Sequence, residues 1–204
     1  MKLYFRPFAC SLAARIALDE GELDAEFIVV PDDGRLPDGR HFSAISPMGY
    51  VPAIETRGGF TLTEGPAVLT YIAELAPEGA LAFTGFSDAH YRMLAWLNFI
   101  STELHKAVFV PLLGKRAGEE ERAAARGRAA KPFGVLTRQL EGREFLQDRF
   151  TVADAYLLSV LNWCETAGVP IGDWPVLLAY RKRLRARPSV ARAMAEEWPL
   201  LKAA

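Results

Sequence analysis

The sequence of 204 residues predicts an α/β domain followed by an all-helical domain. In the first part, short apolar runs typical of strands alternate with apolar residues at helical spacing. In the second part, every apolar pattern has helical spacing. A stretch with proline and glycine separates the two parts. We therefore expect one domain at residues 1–77, a linker at 78–87 and a second domain at 88–204.

The first strand and the first helix meet near Cys10. Residues 2–5, Lys-Leu-Tyr-Phe, are a predicted strand, which ends before Pro7 because proline cannot donate to a ladder. From Cys10 onward, apolar residues recur at helical spacing. A thiol at a helix start feels the positive end of the helix dipole and meets free N–H groups, and both favour the reactive thiolate. The alternative is a buried, inert cysteine.

In the rest of the first domain, the sequence predicts three more strands and a helix. Residues 26–30 are a second strand, parallel to the first because a helix connects them. A long loop with one short helical turn follows. Pro52 precedes a third strand, and a hairpin turn at 57–59 leads to a fourth. Gly65 and Pro66 then begin a helix, whose free N–H groups suit a carboxylate or a phosphate.

This order, β-α-β-α-β-β-α, is the thioredoxin-like arrangement, and it places Pro52 opposite Cys10. Redox members of that fold use Cys-x-x-Cys, whereas this chain reads Cys10-Ser-Leu-Ala. Without a second thiol, a dithiol oxidoreductase is disfavoured.

The second half predicts helices only. Asp88 caps a helix that reaches about Val110, where we expect Pro111 to stop it. Asn98, Thr102 and His105 form one polar stripe on this otherwise apolar helix. Such a stripe needs solvent, a partner or a ligand. Further helices are expected at 115–140, after Thr151 with a capping box to Asp154, at 174–186 and at 189–196.

Composition excludes several classes of protein. The net charge of −1 excludes a strongly basic nucleic-acid binder, and no apolar run is long enough to span a membrane. Residues 1–77 carry a net charge of −5 and residues 88–204 one of +5. This asymmetry suggests two units whose faces attract each other, across a cleft or between subunits. The alternative is two surfaces that differ only in how they are solvated. Two cysteines and no secretory signal predict a cytoplasmic protein without disulfides.

Five motifs, in order and over essentially the whole chain, resemble the cytosolic glutathione S-transferases, most closely the bacterial beta class. They begin with Lys-Leu-Tyr-Phe…Pro…Ala-Cys-Ser-Leu-Ala, Ser-Pro-Met-Gly-Tyr-Val-Pro-Ala and Leu-Thr-Glu-Gly. They continue with Trp-Leu-Asn-Phe-Ile-Ser-Thr-Glu-Leu-His-Lys and Phe-Thr-Val-Ala-Asp-Ala-Tyr-Leu. Each motif alone is weak, and their order makes the resemblance specific.

The resemblance implies glutathione as co-substrate, no metal, and a homodimer in which the helical domain lines the pocket for a hydrophobic electrophile. Cys10 matches the cysteine beside the glutathione sulfur, and Val51 before the cis-proline Pro52 matches the residue whose backbone pairs with the cysteinyl part. Glu64 and Gly65 match the pair that grips the γ-glutamyl end. The remaining matches are polar residues of the interdomain helix, some of which reach the neighbouring subunit's site: Asn98, Thr102 and His105.

The sequence also departs from the family. Where the beta class commonly has a loop lysine, this chain reads Gly34-Arg35, and we expect Arg35 to substitute for it. The catalytic hydroxyl of other classes has no clear counterpart beyond Tyr4 or Ser11. The leading function is conjugation of glutathione to electrophiles, with Cys10 and His105 as catalytic residues. The alternatives are glutathione-dependent disulfide reduction or isomerisation through Cys10, and a glutathione-binding module without activity.

Overall fold

The computed structural model describes residues 1–83 and 85–203. Its first part contains a four-stranded sheet with the strand order β2-β1-β3-β4. Strands β1 and β2 are parallel, whereas β3 pairs antiparallel with both β1 and β4. The elements are β1 (Lys2–Phe5), α1 (Leu12–Glu20), β2 (Glu26–Val29), a 3₁₀ turn (Phe42–Ala44), β3 (Ala53–Glu55), β4 (Thr61–Leu62) and α2 (Gly65–Leu75). The predicted βαβ unit and hairpin are confirmed, and the helical element between β2 and β3 is a single 3₁₀ turn.

The described residues of the second part are helical or irregular, and no helix among them is long and apolar enough to cross a membrane. The first long helix has a π-helical middle. The elements are α3 (Asp88–Phe99), the π-helical segment (Ile100–Phe109), α4 (Val110–Leu113), α5 (Glu119–Arg128), α6 (Ala130–Leu140), α7 (Val152–Leu161), α8 (Cys164–Ala167), a 3₁₀ turn (Ile171–Asp173), α9 (Pro175–Arg185) and α10 (Pro188–Ala203).

Three predicted helix ends were wrong. Pro111 does not stop the interdomain helix, because it lies in the first turn of α4, where its missing N–H is not needed. Helix α10 continues beyond residue 196 and contains Pro199. The N-cap of α3 is Ser87 rather than the expected Asp88. Helix α1 begins at Leu12 with Ser11 as its N-cap, so Cys10 lies directly before the cap, at the predicted junction of strand and helix.

One continuous core joins the two parts. Helix α1 is buried along most of its length and packs against α2, α7 and α10. The acidic end of α1 faces arginines of the second part: Glu20 pairs with Arg187 at 2.7 Å, and Asp19 with Arg192 at 2.6 Å. Some of the opposite charges of the two parts therefore pair with each other within one chain.

Candidate active site

A cavity of about 220 Å³ lies where four segments meet: the loop before α1, the cis peptide between Val51 and Pro52, the start of α2, and the π-helical segment. Sequence analysis identified six of its lining residues: Cys10, Val51, Pro52, Glu64, Gly65 and His105. These residues are far apart in sequence, and the fold brings them to one place.

The thiol of Cys10 is partly buried on the wall of this cavity and donates a hydrogen bond to the carbonyl oxygen of Val51 at 3.0 Å. Burial raises the pKa of this thiol to about 11, and the charge of Glu64 adds to the rise. The positive charge of Lys106 and the N–H groups of Cys10 and Ser11 oppose it. The expected thiolate at a helix start was therefore wrong, because the cost of removing a charge from water exceeds the benefit of nearby donors.

Glu64 and Gly65 form the start of α2 at the cavity. Glu64 is the N-cap residue and has a positive φ of 69°, an unusual conformation for a residue other than glycine. Its side chain makes no capping hydrogen bond and is exposed. The Glu64 carboxylate is therefore available to a ligand, beside N–H groups of the first turn of α2.

The half-buried His105 and the buried Tyr156 form a polar pair. The Nδ1 atom of His105 lies 2.7 Å from the Tyr156 hydroxyl, at hydrogen-bonding distance. Burial, aided by the charge of Lys106, lowers the pKa of His105 to about 4, and burial raises the pKa of Tyr156. Both side chains are therefore neutral near pH 7, and His105 presents an uncharged imidazole to the cavity.

Three predicted site residues lie outside this cavity. Arg35 is exposed in the loop after β2, where its backbone pairs with His41. Asn98 and Thr102 are exposed, and their side chains donate to the carbonyl oxygens of Leu94 and Asn98. His105 leaves their stripe because the π-helical segment has wider turns than an α-helix. The roles of Arg35, Asn98 and Thr102 stay predictions.

Sequence reasoning missed Tyr156 and Lys106. Tyr156 is in the very apolar helix α7, and the signal that could have found it is the hydroxyl, since a buried tyrosine needs a polar partner. Lys106 follows His105 directly, and its ammonium lies 4.6 Å from the centre of the Tyr50 ring. Tyr50 also lines the cavity.

Two hydroxyl groups that sequence analysis considered are engaged elsewhere. The Tyr4 hydroxyl donates to Glu55 and accepts from Arg40 on the far side of β1. The Ser11 hydroxyl donates to the carbonyl oxygen of Arg6 and accepts from its N–H. Neither residue lines the cavity, whereas Cys10, His105 and Tyr156 do.

A larger, mainly apolar cavity of about 520 Å³ adjoins the first. The two cavities share Cys10, His105, Ala9 and Val110. The further lining residues of the apolar cavity come from the loop after β1 and from the helical part: Pro7, Phe8, Phe109, Leu113, Gly114, Trp163, Thr166 and Leu201.

Comparison with known proteins gives the family. Residues 9–75 match the family model of the glutathione S-transferase N-terminal domain, and residues 100–188 match that of the C-terminal domain. Glutathione S-transferase GstA of Escherichia coli O157:H7 is 36% identical over 201 residues, which cover 97% of this chain and 98% of that protein. The chain belongs to the glutathione S-transferase family. It is accordingly a transferase, as predicted.

Solved structures of this family superpose closely on the transferase. A sphingomonad glutathione S-transferase complexed with glutathione is 39% identical, with a TM-score of 0.92 over 97% of this chain and 98% of that chain. A beta class enzyme of Sphingomonas chungbukensis is 38% identical, with a TM-score of 0.92 over 97% of this chain and 99% of that chain. The predicted thioredoxin-like and helical architecture is confirmed. Among the described residues, no group of three or more His, Cys, Asp or Glu side chains is placed to hold a metal ion.

Proposed function

We propose that the transferase binds glutathione in the cavity beside Cys10 and joins its sulfur to a hydrophobic electrophile in the adjoining apolar cavity. The observation that carries this proposal is that both cavities share Cys10 and His105. A glutathione sulfur beside these two residues would lie next to an electrophile in the apolar cavity. Holding two reactants together in this way lowers the activation free energy by several kcal/mol, about 7–11 in favourable cases.

The glutathione cavity has complementary groups for each part of the tripeptide. The exposed carboxylate of Glu64 suits the γ-glutamyl ammonium, and the free N–H groups at Gly65 suit the γ-glutamyl carboxylate. The backbone of Val51, beside the cis peptide, is placed to pair with the cysteinyl part. This arrangement directs the glutathione thiol toward Cys10.

A protonated Cys10 suits the activation of that thiol. Because its pKa is raised to about 11, Cys10 keeps its proton near pH 7 and acts as a hydrogen-bond donor. Hydrogen bonds to a thiolate stabilise the charged form, and the charge of Lys106 acts in the same direction. The glutathione thiol releases its proton to solvent, the thiolate forms a bond to the electrophilic carbon, and the leaving group departs with the electron pair of its bond.

A conjugation assay tests this proposal. With 1-chloro-2,4-dinitrobenzene as electrophile, we expect glutathione-dependent formation of the thioether with release of chloride. We also expect the protein to be retained on immobilised glutathione and eluted by free glutathione. The matched control replaces glutathione with 2-mercaptoethanol, which lacks the γ-glutamyl group that Glu64 would hold. Equal rates with the two thiols would contradict a glutathione site.

We further propose a cytoplasmic homodimer. Asn98 lines a shallow hollow between α2 and α3 together with Tyr71 and Leu94, and Thr102 is exposed one helical turn further along the chain. If a partner subunit packs on this face, these polar side chains can reach the glutathione site of that subunit. Both cysteines are unpaired, in keeping with a reducing compartment. Light scattering should give about twice the chain mass of 22.5 kDa, and a mass of one chain would contradict the dimer.

A second candidate activity is thiol–disulfide exchange through Cys10. The observation in its favour is that Cys10 lies at the cavity proposed for glutathione, whereas Cys164 is buried in the core. In this reaction the Cys10 thiolate attacks a glutathione mixed disulfide and releases the partner thiol. A second glutathione thiolate then attacks the bond on Cys10, which releases oxidised glutathione and restores the thiolate.

A further inference from the structure

The backbone of Phe8, two residues before Cys10, has a conformation that needs external support. Its φ is 55°, in the left-handed region that residues with a side chain avoid. Such a conformation persists only where the surrounding contacts hold it. Phe8 also lines the apolar cavity, next to Ala9 and Cys10. The contacts of Phe8 therefore decide where the Cys10 thiol lies.

The support for Phe8 comes from the helical part of the chain. Its N–H donates to the Oε2 atom of Glu197 at 2.6 Å, and its carbonyl oxygen accepts from the indole Nε1 of Trp163 at 2.8 Å. Its ring packs edge to face on Trp198, with the ring centres 6.0 Å apart. The amide, the carbonyl and the ring of Phe8 are thus all held from outside its own domain.

The neighbours of Phe8 are instead held within the loop. The N–H of Ala9 donates to the carbonyl oxygen of Arg6 at 3.1 Å, and the hydroxyl of Ser11 bonds both backbone groups of Arg6. Phe8 lies inside this closed turn and faces the second part of the chain. Any shift of α10 relative to the turn is therefore transmitted through Phe8.

Glu197 itself is in an unfavourable place for a carboxylate. Its side chain is fully buried, and its Oε1 atom has no hydrogen-bond partner among the described residues. The nearest cation is Arg15, 3.9 Å away, and Arg15 already pairs with Glu196. A buried carboxylate with an unsatisfied oxygen lowers stability. The hydrogen bond to the Phe8 N–H is the interaction that this side chain provides to the site.

We propose that Glu197 is a positioning residue for the transfer reaction: through the Phe8 N–H it fixes the loop 7–10, so that the Cys10 thiol faces both cavities. The γ-glutamyl site at Glu64 and Gly65 belongs to a different segment, which Glu197 does not contact. Loss of the Glu197 contact therefore disturbs the reacting geometry and leaves the binding of glutathione largely intact. This inference rests on the proposed role of the Cys10 site.

The first experiment compares three variants for conjugation. Glu197→Leu removes the acceptor, and we expect kcat to fall at least tenfold while the Kd of glutathione changes less than twofold, since small misplacements at a reacting centre are costly. Glu197→Gln keeps an oxygen acceptor for the Phe8 N–H and should retain most of kcat. Glu196→Leu is the matched control, because Glu196 pairs with Arg15 on the same helix and does not contact Phe8. Its kcat should stay within twofold of wild type.

The second experiment measures Cys10 directly, without the transfer reaction. In a Cys164→Ala background at pH 8, iodoacetamide should alkylate Cys10 several times faster in Glu197→Leu, since a released loop exposes the thiol to water and lowers its pKa toward the usual range. The Glu197→Gln and Glu196→Leu variants should react at the wild-type rate.

The two readouts separate failure of this inference from failure of the proposed function. A wild-type protein without conjugation would contradict the proposed function, and the alkylation rates would still test Glu197. A folded Glu197→Leu variant with wild-type kcat, or with a wild-type alkylation rate, would overturn the positioning role. If Glu197→Leu is insoluble, Glu197→Met removes the same acceptor for the Phe8 N–H with a side chain of closer length. An unchanged alkylation rate in that variant would overturn the role equally.

Discussion

The Cys10 thiol donates a hydrogen bond to the carbonyl oxygen of Val51, 3.0 Å away, across the cavity proposed for glutathione. This contact joins the loop before α1 to the cis peptide before β3. A carbonyl oxygen accepts from a thiol and repels a thiolate, so the contact is made by the protonated form. The same atom pair would separate if Cys10 turned toward a bound sulfur.

The first prediction concerns the titration of Cys10. Because burial raises its pKa to about 11, the alkylation rate with iodoacetamide should keep increasing above pH 9 in a Cys164→Ala background. Replacing Lys106 with methionine should raise the pKa further, since the ammonium stabilises the thiolate. An alkylation rate that reaches its plateau by pH 8 would show a thiolate and contradict this account.

The second prediction concerns Glu64. If its carboxylate binds the glutathione ammonium, Glu64→Gln should weaken binding by about 1–3 kcal/mol, as expected for a charged hydrogen bond. Because the Glu64 side chain is exposed and makes no capping bond, the melting temperature without ligand should change little. Calorimetric titration with glutathione measures the effect. The control is Glu120→Gln, an exposed glutamate of α5 that lies outside both this cavity and the hollow between α2 and α3. Equal affinities of wild type and Glu64→Gln would place the γ-glutamyl site elsewhere.

The sequence predicted the parts of the site that depend on backbone order. Pro52 faces Cys10 because a strand, a crossover helix and a hairpin admit few topologies, and Gly65 with Pro66 marks a helix start in any context. Local patterns of this kind can be interpreted without knowledge of the tertiary structure.

The electrostatics of the site could not be predicted in the same way. The pKa of Cys10 depends on how deeply the folded chain buries the thiol, and the position of a residue at a helix start does not give the depth of burial. Likewise, the π-helical turns that separate His105 from Asn98 and Thr102 follow from packing, since the apolar spacing fits an ordinary α-helix equally well.

The third prediction concerns stability at acid pH. Burial lowers the pKa of His105 from 6.5 to about 4, so folding disfavours its protonated form. The associated stability is complete above pH 6.5 and is lost as the pH falls toward 4, by up to about 3 kcal/mol at roughly 1.4 kcal/mol per pKa unit. The free energies of unfolding of wild type and His105→Gln, measured in urea, should therefore converge as the pH falls from 6.5 to 4.

Glu197 changes the stability with the opposite dependence on pH, over part of the same pH range. Its pKa is raised from 4.5 to about 7, so its contribution is complete below pH 4.5 and is lost as the pH rises toward 7. The contribution of Glu197 cancels in the difference between the free energies of unfolding of wild type and His105→Gln, because both proteins contain Glu197. A difference in the free energy of unfolding that is independent of pH would contradict a lowered pKa of His105 in the folded protein.

The fourth prediction concerns the start of α7. The buried carboxylate of Asp154 accepts from the N–H groups of Leu146 and Thr151 and from the hydroxyls of Thr151 and Tyr180, at 2.8–3.1 Å. Asp154→Ala should lower the free energy of unfolding by several kcal/mol, since each buried donor left unpaired costs roughly 1–3 kcal/mol. Urea unfolding measures it, with the exposed Asp173→Ala as control. A loss below about 1 kcal/mol would show that water replaces the carboxylate.

The last prediction separates the two enzymatic activities through Cys10→Ala. Conjugation needs a stabilised glutathione thiolate, and the N–H groups of Cys10 and Ser11 that face the thiol remain in the variant. We therefore expect Cys10→Ala to retain measurable conjugation of 1-chloro-2,4-dinitrobenzene. Disulfide exchange needs the Cys10 sulfur itself, so reduction of a glutathione mixed disulfide should disappear. In wild type this reduction should accelerate with pH toward 11, as the thiolate fraction increases.

Mass spectrometry after incubation with oxidised glutathione locates the reacting sulfur. We expect one glutathione adduct on Cys10 and none on Cys164, which is buried in the core and has a pKa raised to about 12 by burial. Cys164→Ala is the matched control, and it should keep both activities. An adduct confined to Cys164, or exchange that survives Cys10→Ala, would remove Cys10 from thiol–disulfide chemistry. Loss of conjugation in a folded Cys10→Ala variant would instead show that the Cys10 S–H, rather than the backbone N–H groups, stabilises the glutathione thiolate.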